Sequence, residues 1–218
     1  MGIISFFTQI PSVTFGVTVC NEEHELERLL SHLCQHIHKN DEIIVLQDVT
    51  DPHAGVSTII EKFKPRVIHI EDKLNHDFSR FKNSLIKHAT KDYLFQIDAD
   101  EIPAITLLKK LHHFLRRHHK FDCFCVPRIN IVHGIDETLL KKWNWKQNSE
   151  GYVNFPDYQM RLFKTAAKEI VWKNKVHEEL HGFKRLMDLP IESYNYCLWH
   201  EKTVKKQIHQ NDSYESNF

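Results

Sequence analysis

Tyr93-Leu94-Phe95-Gln96-Ile97-Asp98-Ala99-Asp100-Glu101 is the stretch on which the reading of this 218-residue chain turns. Five mostly apolar residues lead straight into three acids, and Pro103 ends the extended run. A buried strand that stops in clustered carboxylates has two readings. Carboxylates repel one another unless a cation neutralises them, and hard oxygen donors suit Mn2+ or Mg2+, which also bind phosphate oxygens. The other reading is a solvated acidic turn. Chance supplies about one D-x-D triplet in a chain with this much Asp, so the triplet gains meaning only from the strand before it.

Working outward, residues 13–20 are β-branched and apolar, a buried strand. Asn21 stands where it would cap the next helix, with Glu22 and Glu23 in the first turn. Leu26, Leu29, Leu30, Leu33 and Ile37 then recur at helical spacing. Residues 42–47 read as a second strand, 48–55 as a turn-rich loop, 58–63 as a helix and 66–70 as a third strand. Residues 78–89 predict a helix with Phe81, Leu85, Ile86 and Ala89 inward. After the 93–97 strand, Ile105, Leu108, Leu111 and Leu115 mark another. The order βαβαβαβα predicts an α/β fold with a Rossmann-like, mainly parallel central sheet flanked by helices. Ligands in such sheets bind beyond the carboxyl ends of the strands, where Asn21, Asp48 and Asp98 fall. Beyond about residue 120 the pattern changes. Residues 123–132 and 158–164 read as strands of a smaller mixed region, 135–154 as Trp-rich and irregular, and the polar tail from 201 as a loose helix or partly disordered.

Hydrophobic residues make up 41% and charged residues 27%, and Lys plus Arg balance Asp plus Glu at 29 each. That balance gives no support for nucleic acid as a partner. Cys20, Cys34, Cys123, Cys125 and Cys197 are odd in number and include no C-x-x-C pair, which fits a reduced, cytoplasmic setting. Residues 1–19 lack a basic leader and are interrupted by Pro11, so they read as a lead-in to a strand and not as a signal peptide. Met1-Gly2 hints at myristoylation, but Phe6 stands where Ser or Thr is wanted. No stretch approaches the roughly 20 apolar residues of a transmembrane segment.

Four pieces then fall in a familiar order: Val17-Thr18-Val19-Cys20-Asn21-Glu22-Glu23, Asp41-Glu42-Ile43-Ile44-Val45-Leu46-Gln47-Asp48, Phe78-Ser79-Arg80-Phe81-Lys82-Asn83, and Phe95-Gln96-Ile97-Asp98-Ala99-Asp100-Glu101. Over roughly residues 13–105 the chain resembles glycosyltransferase family 2, with the GT-A fold. Arg161-Leu162-Phe163 and Val176-His177-Glu178 resemble later motifs of that family's lipopolysaccharide-core branch. The resemblance implies one GT-A unit over 1–218, with a nucleotide-sugar half at 1–103, an acceptor-side half at 104–200 and a tail at 201–218. It implies a nucleotide-diphosphate sugar donor, a UDP-sugar foremost, and a glycan or lipid-linked glycan acceptor. Thr18, Asn21, Glu23 and Asp48 match the nucleotide positions, and Lys82 and Asn83 match a basic-Asn pair beside them. Asp98 is implied at the ribose or the metal, Asp100 at the metal, and His200 in the metal shell. Gln47, where the family usually has an acid, and Val49-Thr50, in place of its Gly-Ser turn, are departures.

An inverting transfer needs a carboxylate to take the acceptor proton. Glu178 is the first candidate and Asp157 the second. Trp143, Trp145 and Trp172 are open to two readings, sugar stacking or core packing. Three rival functions remain, one of them a non-catalytic sugar- or protein-binding module. His177-Glu178-Glu179-Leu180-His181 spells H-E-x-x-H, a zinc hydrolase signature, but it needs a helix, and Gly182 and the strand-like 170–172 argue against one. A nucleotidyltransferase would want a glycine-rich basic loop that residues 17–23 lack.

Overall fold

The computed structural model describes residues 10–217, with side chains described to residue 211. The lead-in at 1–9, with its Met1-Gly2 signal, lies outside them. In chain order the elements are β1 (Val13–Val19), α1 (Glu23–His36), β2 (Glu42–Asp48), α2 (Ala54–Lys62), β3 (Val67–Asp72), α3 (Phe78–His88), β4 (Tyr93–Asp98), β5 (Glu101–Pro103), α4 (Ile105–Arg117), β6 (Cys123–His133), α5 (Glu137–Lys142), β7 (Val153–Lys164), β8 (Val171–Lys173), β9 (Glu179–His181), β10 (Leu186–Asp188), β11 (Leu198–Thr203) and α6 (Val204–Asn217). The central sheet runs β3-β2-β1-β4-β7-β6-β11-β5, with β10 beside β6. β1 to β4 are mutually parallel. β7 runs against both β4 and β6, and β5 runs against β11. The expected mainly parallel α/β sheet is what forms.

Alternation along each strand decides what lies on each face. Val13, Phe15, Val17 and Val19 of β1, Ile43 and Val45 of β2, and Tyr93, Phe95 and Ile97 of β4 pack with the leucines of α1 and α4 in one core. Ile44 and Leu46 turn to the opposite face and meet Phe81 and Leu85 of α3. On that face β1 presents only Thr14, Gly16 and Thr18, and α3 comes in close. A Cβ at Gly16 would stand 2.7 Å from Leu85 Cδ2. Because Leu94, Gln96 and Asp98 share that face, Asp98 opens toward α3.

Several expectations need correction. Asn21 does not cap α1. Glu22 occupies the cap position, and its carboxylate accepts from the backbone N–H groups of Cys20 and Asn21. α2 begins at Ala54, earlier than the apolar pattern suggests. The run is broken before Pro103, by a tight turn at 99–100; the chain then re-enters the sheet as β5, paired with β11, and it is β5 that Pro103 ends. Proline is tolerated there because β5 lies at the sheet edge. The irregular 135–154 stretch holds the short helix α5, and the tail is strand β11 followed by α6. All five cysteines are unpaired thiols, and Cys123, Cys125 and Cys197 are buried. No helix among the described residues is long and apolar enough to cross a membrane.

β8 and β9 form a separate two-stranded ribbon on the α3 side. Gly182 closes it with φ +90, and a Cβ there would sit 1.9 Å from the carbonyl oxygen of Glu169. Gly182→Ala should therefore cost about 1–3 kcal/mol, read as a lower urea midpoint at unchanged slope.

Candidate functional site

The carboxyl ends of β1, β2 and β4 surround a cleft of about 230 Å³, lined by Thr18, Cys20, Glu22, Asp48, Asp98 and Asp100 and by Leu74, Phe78, Phe81 and Lys82 from the α3 side. Gln210 of α6 and Glu178, one residue before β9, close it. A second groove of about 680 Å³ continues from it past Arg128, Tyr158, Arg161, Trp172 and His181. Lys82, Asp98 and Glu178 border both.

The acids are held by a chain of ion pairs. Arg161, on β7, reaches Asp98 Oδ2 at 2.5 Å and Glu101 Oε1 at 2.8 Å. Glu101 also meets Arg128 at 3.0 Å, and Arg128 meets Asp157 at 2.7 Å. Thr18 donates to the other oxygen of Asp98 at 2.9 Å. Burial opposes ionisation of Asp98, yet the Arg161 guanidinium and the Lys82 ammonium outweigh it and hold the carboxyl well below the usual range. Asp100 is also desolvated, but His200 and Lys206 bring its pKa down to about 2.

Asp100 Oδ2 lies 3.4 Å from His200 Nε2 and 3.4 Å from the Lys206 ammonium, which also pairs with Glu25 at 3.1 Å. His200 Nδ1 donates to Asn130 Oδ1 at 2.8 Å, and the orientation of that amide is set because its Nδ2 donates to Asp157. His200 Nε2 therefore faces Asp100, and an imidazole nitrogen beside a carboxylate oxygen is a ligand pair that fits a divalent cation. No group of three or more His, Cys, Asp or Glu among the described residues could hold an ion alone. A bound cation would take its other ligands from water or a bound anion.

Thr18, Asp48, Lys82, Asp98, Asp100 and Glu178 thus converge on the cleft, and His200 stands behind Asp100. Asn21, Glu23, Asn83 and Asp157 are not among its wall residues. Asn21 is exposed. Glu23 pairs with His53 at 2.9 Å. Asn83 is spent on structure, donating to Trp172 O at 2.8 Å and accepting from Trp172 N at 2.9 Å, which pins β8 to α3. Asp157 accepts from Arg128, Asn130 and Gln159. Lys82 is buried, not on a solvated helix face, and pairs with Glu178. Gln47 is a buried node, accepting from Ser57 and His69. Trp172 is core, its indole N–H donating to Gln96 at 2.6 Å. Trp143 and Trp145 pack on each other at 4.9 Å.

The H-E-x-x-H run is not helical. His177 has φ 52, Glu179–His181 is strand, and Gly182 turns the chain. The two histidines therefore share no helix face.

The helix-flanked α/β sheet with acids at the carboxyl end of β4 fits the GT-A class of fold, and the solved structures below share that fold. The chain belongs to glycosyl transferase family 2, whose family model matches residues 14–183. It is 28% identical over 151 residues to the SPbeta prophage-derived glycosyltransferase SunS of Bacillus subtilis (strain 168) and, to the same extent, to glycosyltransferase SunS of Bacillus phage SPbeta. The match spans 66% of this chain and 34% of each relative. Among solved structures, S. aureus TarS 1-349 superposes with a TM-score of 0.62 at 15% identity, covering 87% of this chain and 60% of that one. Its complex with UDP-GlcNAc superposes with a TM-score of 0.61 at 16% identity, covering 88% and 58%.

The sequence reading gave no role to Arg161, Arg128 or Lys206, although Arg161 was visible in the Arg-Leu-Phe motif. Arg161→Met should cost about 3–5 kcal/mol in urea unfolding, because it takes the guanidinium partner from Asp98 and leaves Glu101, whose side chain is fully buried, with Arg128 alone. Asp100 gives a pH signature. Its folded pKa of about 2 lies below the unfolded value of about 3.9, so its stabilisation is complete above that value and is lost as pH falls toward 2. Asp100→Asn should flatten that part of the acid-unfolding profile, measured by circular dichroism.

Proposed function

We propose that the chain is a metal-dependent, inverting glycosyltransferase that moves a sugar from a nucleotide-diphosphate donor, a UDP-sugar foremost, to a hydroxyl of a glycan or lipid-linked glycan. Family membership supports the reaction class, and the TarS complexes with UDP-GlcNAc and UDP support the choice of donor. The observation that carries the reading is the charge of the cleft. Glu22, Asp48, Asp98, Asp100 and Glu178 line it, and among the described lining residues Lys82 is the only cation. Even with Asp98 neutralised by Arg161, a diphosphate entering alone would meet repulsion. A divalent ion held by Asp100 and His200 would offset the charge that grows on the leaving diphosphate.

In this reading residues 1–103 hold the donor and 104–200 shape the acceptor side of one unit. Thr18 fixes Asp98, and Asp48 stands at the nucleotide end. Lys82 faces the diphosphate, and Asn83 acts indirectly by fixing β8. The acceptor lies in the groove past Tyr158 and His181. Its hydroxyl oxygen bonds to the anomeric carbon as the bond from that carbon to the diphosphate oxygen breaks. The leaving electron pair stays on the diphosphate, and the hydroxyl proton passes to Glu178. Glu178 is preferred to Asp157 because it borders both cavities, whereas the oxygens of Asp157 are committed to three donors. The later motifs keep the resemblance to the lipopolysaccharide-core branch, and the reduced cysteines suit a cytoplasmic enzyme.

Thermal unfolding with UDP-GlcNAc tests the reading. With Mn2+ and donor at a hundredfold excess over Kd the protein should gain about 2.7 kcal/mol, a rise of several degrees in Tm. EDTA or Asp100→Ala should remove the gain, and equal affinity with and without chelator would count against the metal.

A further inference from the structure

The base candidate is not free. Glu178 Oε1 is bound directly by the Lys82 ammonium, which also lies 4.8 Å from the centroid of the Trp172 ring. Lys82 is only 9% exposed and Glu178 18%, so solvent screens the pair weakly. The two side chains come from different parts of the fold, α3 and the turn into β9, and both border the donor cleft and the groove beyond it. Their contact is therefore the partition between the two cavities. Lys82 is also the lone cation among the described residues lining a cleft with five carboxylates. While the ammonium holds it, Oε1 of Glu178 is already met by a hydrogen-bond donor and is not open to an incoming hydroxyl.

Resting on the reading of this cleft as the donor site, we propose that the Lys82–Glu178 pair is a donor-operated latch. An arriving diphosphate draws Lys82 away from Glu178, and the released carboxylate becomes competent to accept the proton of the acceptor hydroxyl. Donor binding then arms the base. Without donor, the acceptor meets a partition whose carboxylate is engaged. Trp172 keeps the ammonium on the partition in either position. Its indole is anchored to Gln96 and its backbone to Asn83.

The latch makes a statement about affinity that needs neither acceptor nor turnover. In the wild type, UDP must break the pair before it can use Lys82. Removing the carboxylate frees the ammonium beforehand, so Glu178→Gln should bind UDP with Mn2+ about 3- to 10-fold more tightly by calorimetry. Lys82→Met should weaken UDP by about 10-fold, and on that background Glu178→Gln should change affinity less than 2-fold. A gain from Glu178→Gln that persists undiminished in Lys82→Met would mean simple repulsion between carboxylate and diphosphate, and would overturn the latch. Glu178→Asp supplies a second arm that does not need the Lys82 variant to fold. It keeps the charge but is one methylene short of the ammonium, so the latch expects tighter UDP, whereas repulsion alone expects no change. If wild-type protein binds neither UDP nor UDP-GlcNAc with Mn2+, the donor reading falls and the latch with it. If it binds them and neither Glu178 variant shifts the affinity, the latch alone falls.

Discussion

The structure depends on neutralising buried acids at one strand end. Asp98 and Glu101 stand three residues apart on either side of a tight turn, and the Glu101 side chain is wholly buried. Such a pair can exist only if a cation is delivered to it. Arg161 delivers it from β7, and Arg128 from β6 joins Glu101 to Asp157. Arg161 arrives from the strand beside β4 and Arg128 from the next strand out, so the mixed half of the sheet is coupled electrostatically to the parallel half.

Much of the fold could be read from residues 13–117, because each element there carries its own periodicity. The β-branched run before Cys20, the leucines of α1 and the apolar lead into Asp98 are local signals, and local signals survive in a single sequence. The later half was harder to read, since its strands are defined by partners. β5 is three residues long, starts on an acid and ends on a proline, and exists only because β11 pairs with it. Lys82 and Asn83, matched together as a basic-Asn pair in the sequence, part company in the structure for a related reason. They are neighbours on one helix, yet one faces the cleft and the other ties down Trp172, a difference set by helix phase against a ribbon some 90 residues away. The H-E-x-x-H run shows the converse, a motif with the right letters on a backbone that cannot present them.

Within the cleft, charges are arranged so that no acid is idle. Asp98 serves Arg161 and Thr18, Asp100 lies beside His200 and Lys206, and Glu178 holds Lys82. Every carboxylate able to greet a ligand has a partner that must be displaced or shared. Binding strength in such a site reflects exchange of partners more than filling of space, and conservative changes at Lys82 or Lys206 carry more weight than changes to the apolar wall.

The position of β7 bears on how the chain can be assembled. It lies between β4 and β6 and supplies the far edge of β4, yet it is made about 60 residues later. A nascent chain that has emerged only through β4 therefore presents an open, apolar strand edge, which is covered only after residue 164 has left the ribosome. The same interleaving forbids modular exchange. A chimera joined at residue 103 would have to import a β7 that fits the β4 register and carries an arginine at the position of Arg161, so new acceptor halves can be grafted only as whole sheets with their counter-charges in place.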